Sequence, residues 1–514
     1  MSKTIIIIGA GLAGLSAALQ AAENGCNVKL VSSLPSERAQ SVMAEGGINA
    51  ALNTKDENDS PEEHFTDTIK AACGLADPNA VWGMTQAAPE LVHWLLKLGV
   101  KFNMSGYDDV DLRNFGGQKK KRTAFAQSDT GKQIMTAMID AVRRKEASGM
   151  VERFSHHSFL TLRLCGNICC GCVIRDEYSQ ETVELLGDAV IVATGGMHGL
   201  FGNTTGSLSN TGEVTAELFR LGVPLANGEM IQYHPTTVKC GGKRILISEA
   251  ARGEGGRLFA MKDGKQWYFM EEKYPELGNL MPRDITAREI WKVSHESEVF
   301  LDMTEISEEI ISNKLSGLAD DCMTYLHKDI RKEPVSVLPG IHYFMGGILV
   351  DEQHRTPIQN LYAAGECCAQ YHGANRLGGN SLLGALYGGR VAAKSACEQA
   401  DVVDLSCATQ IDFPPASQIS EIKQLNKVMQ ETMGVVGNEN TLLNGIQTVQ
   451  ALTGNLPLLG MAVLKSALAR KESRGAHWRE DYPKSNDDDY LKTTVARFDG
   501  KQIQISFVPV PERR

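Results

Sequence analysis

The spacing of hydrophobic residues changes twice near the start of the chain. Thr4–Ile8 ends in four consecutive isoleucines, and an uninterrupted apolar run is typical of a strand buried on both faces of a parallel sheet. The alanine-rich stretch Ser16–Ala22 predicts a helix, and Val28–Val31 predicts a second strand. The pattern therefore predicts a βαβ unit and an α/β fold class.

Three glycines stand between the first predicted strand and the helix. In this GxGxxG motif, Gly9 forms the tight turn and Gly11 lets the backbone approach a pyrophosphate. Gly14 lets the helix pack closely on the strand. An NAD-binding unit usually carries an acidic residue at the end of the second strand, and this chain has Ser32 and Ser33 there. The motif therefore predicts a dinucleotide site, while the serines disfavour a generic NAD protein.

Two later apolar runs also end in glycine. Ala189–Ala193 precedes Thr194 and Gly195, and Leu361–Ala364 precedes a Gly-Glu pair. Because both runs lie far from residue 9, we expect a nucleotide-binding domain in two parts, residues 1–236 and 344–402. Residues 237–343 look inserted, and residues 403–514 form a further domain with predicted amphipathic helices at Ile422–Met433 and Thr441–Ala451.

Composition and charge exclude several classes of protein. The 514 residues are 42% hydrophobic and 22% charged, which is typical of globular domains and not of disordered or fibrous chains. A net charge of −10 predicts no nucleic-acid partner. The basic run Lys119–Arg122 is interpreted as steering charge or a solvated face. No stretch approaches the roughly 20 apolar residues of a membrane helix, so we expect no direct membrane insertion.

The N-terminus and the cysteines predict a cytoplasmic protein without a metal site. The sequence shows no secretory signal, so its cysteines are expected to be reduced thiols of a cytoplasmic protein. Cys169 and Cys172 form a CxxC, yet no second pair stands at zinc or cluster spacing. The segment around them is typical of a β-hairpin. We therefore predict no metal site.

Six further motifs follow the glycine motif and the Ala44–Gly47 loop: Gln232–Thr236, Ser248–Gly256, Pro282–Asp284, His342–Gly347, His372–Leu377 and Glu472–His477. Together, over most of the chain, they resemble the succinate dehydrogenase, fumarate reductase and aspartate oxidase flavoprotein family. The resemblance implies a Rossmann-like FAD-binding domain interrupted by an α+β capping domain and followed by a C-terminal helical domain. The implied FAD-binding residues are Gly9, Gly11, Gly14, Ser32, Ala44, Gly46, Gly47, Thr194, Gly195, Glu366, Ser381 and Leu382.

The resemblance also implies a C4-dicarboxylate substrate at the interface of cap and flavin. His234 and Ser248 would hold one carboxylate, and His342 and Arg376 the other. Arginine suits this task because its planar fork matches a carboxylate. The family pattern makes Arg283 the proton donor to the substrate carbon, supplied through Glu249 and Arg252. An arginine in that role is chemically unusual and rests on the resemblance alone.

Two positions distinguish activities within the family. Many members link FAD covalently to a histidine whose place is taken here by Gln40, so we predict non-covalent FAD and fumarate reduction in preference to succinate oxidation. Aspartate oxidase, which also holds FAD without the link, is the alternative. It carries a glutamate where Phe115 lines the expected substrate site, and phenylalanine offers no anion for an ammonium group.

The source of electrons is left open by the sequence. The chain carries no heme or cluster motif, so a separate iron–sulfur subunit or a small carrier must deliver them. The protein is therefore a subunit of a larger, membrane-associated reductase or a stand-alone soluble reductase. A non-catalytic flavoprotein would have lost at least one substrate-binding side chain, and all of them are present.

Overall fold

The computed structural model describes residues 2–106, 109–241, 243–400, 411, 413 and 418–514. Its α-helices are α1 (Leu12–Glu23), α2 (Pro61–Ala71), α3 (Pro78–Lys97), α4 (Thr130–Ala147), α5 (Glu213–Arg220), α6 (Glu249–Gly253), α7 (Phe269–Lys273), α8 (Arg283–Ser294), α9 (Glu308–Lys314), α10 (Ser316–Asp321), α11 (Asn380–Gln399), α12 (Ile419–Thr432), α13 (Glu439–Val449), α14 (Asn455–Ala469) and α15 (Asp487–Tyr490).

The strands are β1 (Thr4–Ile8), β2 (Asn27–Ser32), β3 (Ile48–Asn49), β4 (Leu112–Arg113), β5 (Thr123–Ala124), β6 (Val151–Ser155), β7 (His157–Cys165), β8 (Ile168–Asp176), β9 (Thr182–Leu186), β10 (Ala189–Val192), β11 (Leu225–Ala226), β12 (Ile231–Cys240), β13 (Lys243–Leu246), β14 (Arg257–Lys262), β15 (Lys265–Trp267), β16 (Val299–Asp302), β17 (Val335–Ser336), β18 (Leu338–Phe344), β19 (Gly347–Leu349), β20 (Leu361–Ala363), β21 (Cys368–Ala369), β22 (Lys492–Phe498) and β23 (Ile503–Pro509).

A five-stranded parallel sheet forms the centre of the FAD-binding part. Its order is β20-β10-β1-β2-β6, and the pairs β1–β2, β1–β10, β10–β20 and β2–β6 are all parallel. Ile5, Ile6 and Ile7 in β1 are fully buried, as the uninterrupted apolar run predicts. Parallel strands bring their carboxyl ends to one edge, which gathers the glycine turns after β1, β10 and β20 there.

The inserted region is reached and left through neighbouring strands. β12 and β18 pair antiparallel, with Ile231 opposite Phe344 and His234 opposite Gly340. Between them lies a four-stranded sheet, β15-β14-β16-β17, which packs with α8 over its own apolar core. The boundaries expected at residues 236 and 343 fall within these two strands.

The C-terminal part contains the predicted helices and one element that the helical pattern does not predict. The helices predicted at Ile422–Met433 and Thr441–Ala451 correspond to α12 and α13. The strands β22 and β23 form a hairpin that joins β11 and β19 in a mixed sheet. The expected boundary at residues 402 and 403 lies outside the described residues. The predicted hairpin around the CxxC is present as β7 and β8.

The state of the cysteines departs from expectation at one position. Ten cysteines are free in the part of the chain that the structure describes. Cys165 is disulfide-bonded, so the expectation of reduced thiols is wrong for that residue.

Candidate active site

One cavity of about 1060 Å³ gathers nearly all the residues singled out in the sequence. The size lies at the upper end of the roughly 300–1,000 Å³ usual for ligand sites. Every residue expected to bind FAD lines it except Gly14, and every residue expected to bind or protonate the substrate lines it except Arg252. Gln40 lines it as well. The two sets of predicted residues therefore share one continuous space.

The glycine turn at the end of β1 has the close contacts that its motif requires. A Cβ on Gly9 would lie 2.3 Å from the Ala193 carbonyl oxygen, and one on Gly14 would lie 1.8 Å from the Gly9 oxygen. A Cβ on Gly11 would meet nothing nearer than the Ser41 hydroxyl at 3.7 Å. Gly14 therefore packs the helix on the turn, whereas Gly11 leaves backbone accessible from the cavity.

Polar groups around this turn fit a dinucleotide. The hydroxyl oxygen of Ser32, at the end of β2, is buried and has no hydrogen-bond partner among the described residues, as expected of a group that bonds a ribose. Thr194 and Gly195 follow β10. Ser381 and Leu382 lie in the first turn of α11, whose N-terminus attracts negative charge. These residues would hold FAD, while the Glu366 carboxylate accepts from the Phe344 amide at 3.0 Å.

The Ala44–Gly47 loop meets Phe115. A Cβ on Gly46 would lie 2.7 Å from the tip of the Phe115 ring, so the loop and the ring fit only without a side chain there. Phe115 is itself only 2% exposed. The ring therefore closes this wall of the cavity with an apolar surface.

Arg283, Glu249 and Arg252 form a buried ion-pair chain. Arg283 opens α8 and donates from Nε and Nη2 to Glu249 Oε2, at 2.8 and 2.6 Å. Its Nη1 donates to Gln232 Oε1 at 3.0 Å. Glu249 opens α6, and its other oxygen lies 3.4 Å from Arg252 Nη2 and accepts from the Gly116 amide at 3.1 Å. One carboxylate thus connects two guanidinium groups.

The two arginines of this ion-pair chain keep the Glu249 carboxylate ionised. Burial would raise the pKa of Glu249, but the nearby Arg283 and Arg252 outweigh burial and lower it. Arg252 is fully buried, and burial lowers its pKa. The predicted relay residues therefore meet in the predicted order, and the i, i+3 spacing of Glu249 and Arg252 lies on a helix as expected.

The two histidines lie side by side in the cavity wall, with their rings in edge-to-face contact. The ring centroids of His234 and His342 are 5.1 Å apart. Burial first, and the neighbouring Arg283 second, hold the pKa of both imidazoles well below the usual range. They are therefore neutral at pH 7 and act as hydrogen-bond donors or acceptors, not as fixed charges.

Arg376 supplies a further cationic group. Its guanidinium lies over the Tyr343 ring at 4.3 Å, and its Nε is buried without a hydrogen-bond partner in the described part of the chain. Burial, together with Arg283, lowers the pKa of Arg376 to about 9. A buried guanidinium without an acceptor is a place for an anionic ligand.

Sequence reasoning assigned no role to several polar residues at this site. Gln232 accepts from Arg283 and donates to the Arg376 carbonyl oxygen at 2.8 Å, which connects the two arginines. Thr205 lies 2.7 Å from His342 Nδ1. Gln232 was visible within the Gln232–Thr236 motif, whereas Thr205 sits in a Ser/Thr/Gly loop that carries no signal of its own.

Two charged residues have properties that the sequence analysis did not predict. Burial, with Asp321 and Asp129 nearby, raises the pKa of Glu45 to about 8, so this cavity residue is mostly protonated at neutral pH. The interpretation of the basic run as solvated or steering charge is wrong for Arg122. That residue is fully buried and pairs with Asp59 at 2.8 Å and Asp67 at 2.9 Å.

The fold and cavity define an FAD-binding flavoprotein. The family model described as FAD binding domain matches residues 4–382, and that described as fumarate reductase flavoprotein C-term matches residues 452–513. The chain belongs to the succinate dehydrogenase/fumarate reductase flavoprotein family and is an FAD-dependent oxidoreductase of that type.

Relatives align along nearly the whole chain. The succinate dehydrogenase flavoprotein subunit of Bacillus subtilis is 38% identical over 100% of this chain and 98% of its own length. The 8-methylmenaquinol:fumarate reductase flavoprotein subunit of Wolinella succinogenes is 32% identical, covering 100% and 92%. The solved E. coli quinol fumarate reductase FrdA superposes with a TM-score of 0.90 at 27% identity, covering 99% of this chain and 97% of that one.

Among the residues that the structure describes, no helix is both long and apolar enough to cross a bilayer.

Proposed function

We propose that this flavoprotein reduces fumarate to succinate and holds its FAD without a covalent link. The observation that carries the proposal is the position of Arg283, which lines the cavity while two of its nitrogens bind one buried carboxylate oxygen. Oxidation of L-aspartate, the alternative considered for the sequence, is not favoured, since the relatives are dehydrogenase and reductase subunits and Phe115 lines the cavity.

The charge of the site suits a dianion. Arg252, Arg283 and Arg376 carry three positive charges against one on Glu249, and both histidines are neutral. Guanidinium groups therefore outnumber the carboxylate in this cluster, which favours an anionic substrate. His234 and Ser248 hold one carboxylate, and His342 and Arg376 hold the other.

In the proposed reaction the cofactor supplies the hydride and the protein supplies the proton. When bound, FAD supplies the hydride that adds to one alkene carbon. Arg283 donates a proton to the neighbouring carbon, which completes the two-electron, two-proton reduction to succinate. A proton lost from Arg283 returns through Glu249, whose two oxygens contact Arg283 and Arg252.

Gln40 supports the non-covalent mode of binding. It lines the cavity in a short 3-10 turn at Gln40–Met43, and an amide side chain cannot form the bond to flavin that histidine forms in many members of the family. The relatives named as subunits favour an iron–sulfur electron-transfer partner for this chain too, though a small carrier would serve the same chemistry.

The test is anaerobic oxidation of a reduced viologen dye by the purified, FAD-loaded chain. We expect dye oxidation with fumarate, and none with crotonate, which keeps the alkene but lacks one carboxylate. L-Aspartate with oxygen should yield no peroxide. Peroxide formation from aspartate, with no oxidation of dye by fumarate, would overturn the proposal.

A further inference from the structure

Two cysteines far apart in sequence meet on the side of the FAD-binding part away from the cavity. Cys26 lies just after α1, and Cys397 lies in the last turn of α11. Their sulfur atoms are 3.0 Å apart. A disulfide bond is about 2.05 Å long, so the two sulfur atoms must approach by about 1 Å to form one.

The two helices that carry these cysteines both begin at the cavity. Leu12 and Ala13 in the first turn of α1 line it, as do Ser381 and Leu382 in the first turn of α11. The helices are closely packed, because Ser16 donates to the Leu386 carbonyl oxygen at 2.6 Å. The cysteine pair therefore joins the far ends of the two helices whose near ends hold FAD.

The surroundings of the pair leave one thiol partly exposed but disfavour its thiolate form. Cys26 is 5% exposed, whereas Cys397 is partly exposed and accessible to a small oxidant. Lys3 lies beside Cys397 and donates from Nζ to its carbonyl oxygen at 2.8 Å. Burial, followed by Cys26, raises the pKa of the Cys397 thiol to about 12, so oxidation is slow at neutral pH and faster under alkaline conditions.

We propose that Cys26 and Cys397 are an oxidation site at which a peroxide forms a disulfide that clamps α1 to α11 and retains FAD. The Cys397 thiolate attacks hydrogen peroxide, the O–O bond breaks, and a sulfenic acid and one water result. Cys26 then attacks that sulfur and releases a second water. The two thiols lose two electrons and two protons, and the peroxide becomes two water molecules.

The clamp closes a very long loop of chain, so its effect on the cofactor should be measurable. Cross-links that close long loops stabilise folded proteins most in the chain-entropy account. We expect the temperature at which the FAD-loaded protein releases its flavin to rise by about 3 °C or more after oxidation. The inference does not depend on the direction of the reaction or on the substrate.

The experiment treats the full-length, FAD-loaded protein with hydrogen peroxide at mildly alkaline pH. Peptide mass mapping follows the cross-link, and flavin fluorescence on heating follows FAD release. Cys26→Ser and Cys397→Ser should each lose the cross-link and the temperature shift. Cys73→Ser, which removes a partly exposed thiol outside the cavity, should keep both. Treatment with dithiothreitol should reverse both changes in the unaltered protein.

The outcomes are distinct. A Cys26–Cys397 peptide together with a raised release temperature supports the clamp. Absence of that peptide overturns the oxidation site, and a cross-link that leaves the release temperature at the value of the serine variants overturns the clamp. Neither negative result bears on fumarate reduction, which is measured separately with the reduced protein.

Discussion

Replacing Arg283 with alanine separates proton delivery from substrate binding. The guanidinium makes three hydrogen bonds, two to Glu249 and one to Gln232, and it lines the cavity. A positioned general acid contributes roughly 10²- to 10⁴-fold to a rate, so we expect kcat for fumarate to fall by about that factor. The carboxylate contacts proposed for His234 and Arg376 remain, so the Kd of malonate, a dicarboxylate that cannot be reduced, should change by less than about tenfold.

Breaking the ion pair also has a structural cost, which the assay must separate from catalysis. Removing one partner of a buried pair destabilises by about 3–5 kcal/mol, although Arg252 still faces Glu249 and reduces that cost. The assay is therefore viologen-dependent fumarate reduction at matched FAD content. Arg257→Ala, which breaks an exposed pair with Glu271 in the same region, serves as the control and should keep full activity. If the Arg283 variant kept more than about a tenth of the kcat, its role as proton donor would be refuted.

Four further predictions test other parts of the site. Acid precipitation should release all FAD from the protein because Gln40 cannot bond it, and a fluorescent flavin band on a denaturing gel would contradict this. Thr205→Val should raise KM about 5- to 30-fold with little change in kcat, because His342 loses a hydrogen bond worth roughly 1–2 kcal/mol; an unchanged KM would exclude that role. KM should also rise as pH passes about 9, where Arg376 loses its proton and with it the charge that binds a carboxylate; a flat profile of KM up to pH 10 would contradict this. Because the folded-state pKa of His234 is depressed, the unfolded chain binds more protons than the folded one below pH 6.5. The free energy of unfolding should therefore fall by up to about 1.4 kcal/mol per pH unit below about pH 6.5 from this residue. Urea unfolding of a His234→Gln variant should show a correspondingly shallower dependence of that free energy on pH.

Local sequence patterns predicted β1 and the glycine turn that follows it. The four isoleucines of β1 and the glycines after them specify a buried parallel strand and a turn, and both lie where the pattern places them. The β22–β23 hairpin was missed although Ile503–Phe507 alternates apolar and polar residues and Asp499 and Gly500 form a turn dipeptide before it. Its pairing with β11 could not be predicted, because β11 lies more than two hundred residues earlier in the chain and local patterns do not specify such a partner.

Within the site, too, residues in local motifs were predicted, whereas residues that depend on distant partners were not. Residues in recognisable motifs, such as His234 and Arg283, were predicted to share a site, and they line the same cavity. Thr205 escaped because its contact with His342 spans 137 residues and involves no motif. The burial of Arg122 depends on Asp59 and Asp67, which come from another part of the chain, so its charge run alone suggested exposure. The role of Thr205 and the burial of Arg122 both depend on contacts between residues far apart in sequence.

The most direct test of fumarate reduction is a single turnover followed at the flavin absorbance band. The FAD-loaded protein is photoreduced without oxygen and mixed with fumarate, and succinate is then quantified. The account predicts rapid return of the oxidised flavin spectrum with one succinate formed per flavin. It also predicts that adding L-aspartate to the oxidised protein leaves the band unchanged. Reduced flavin that persists in the presence of fumarate, or bleaching of oxidised flavin by aspartate, would contradict it.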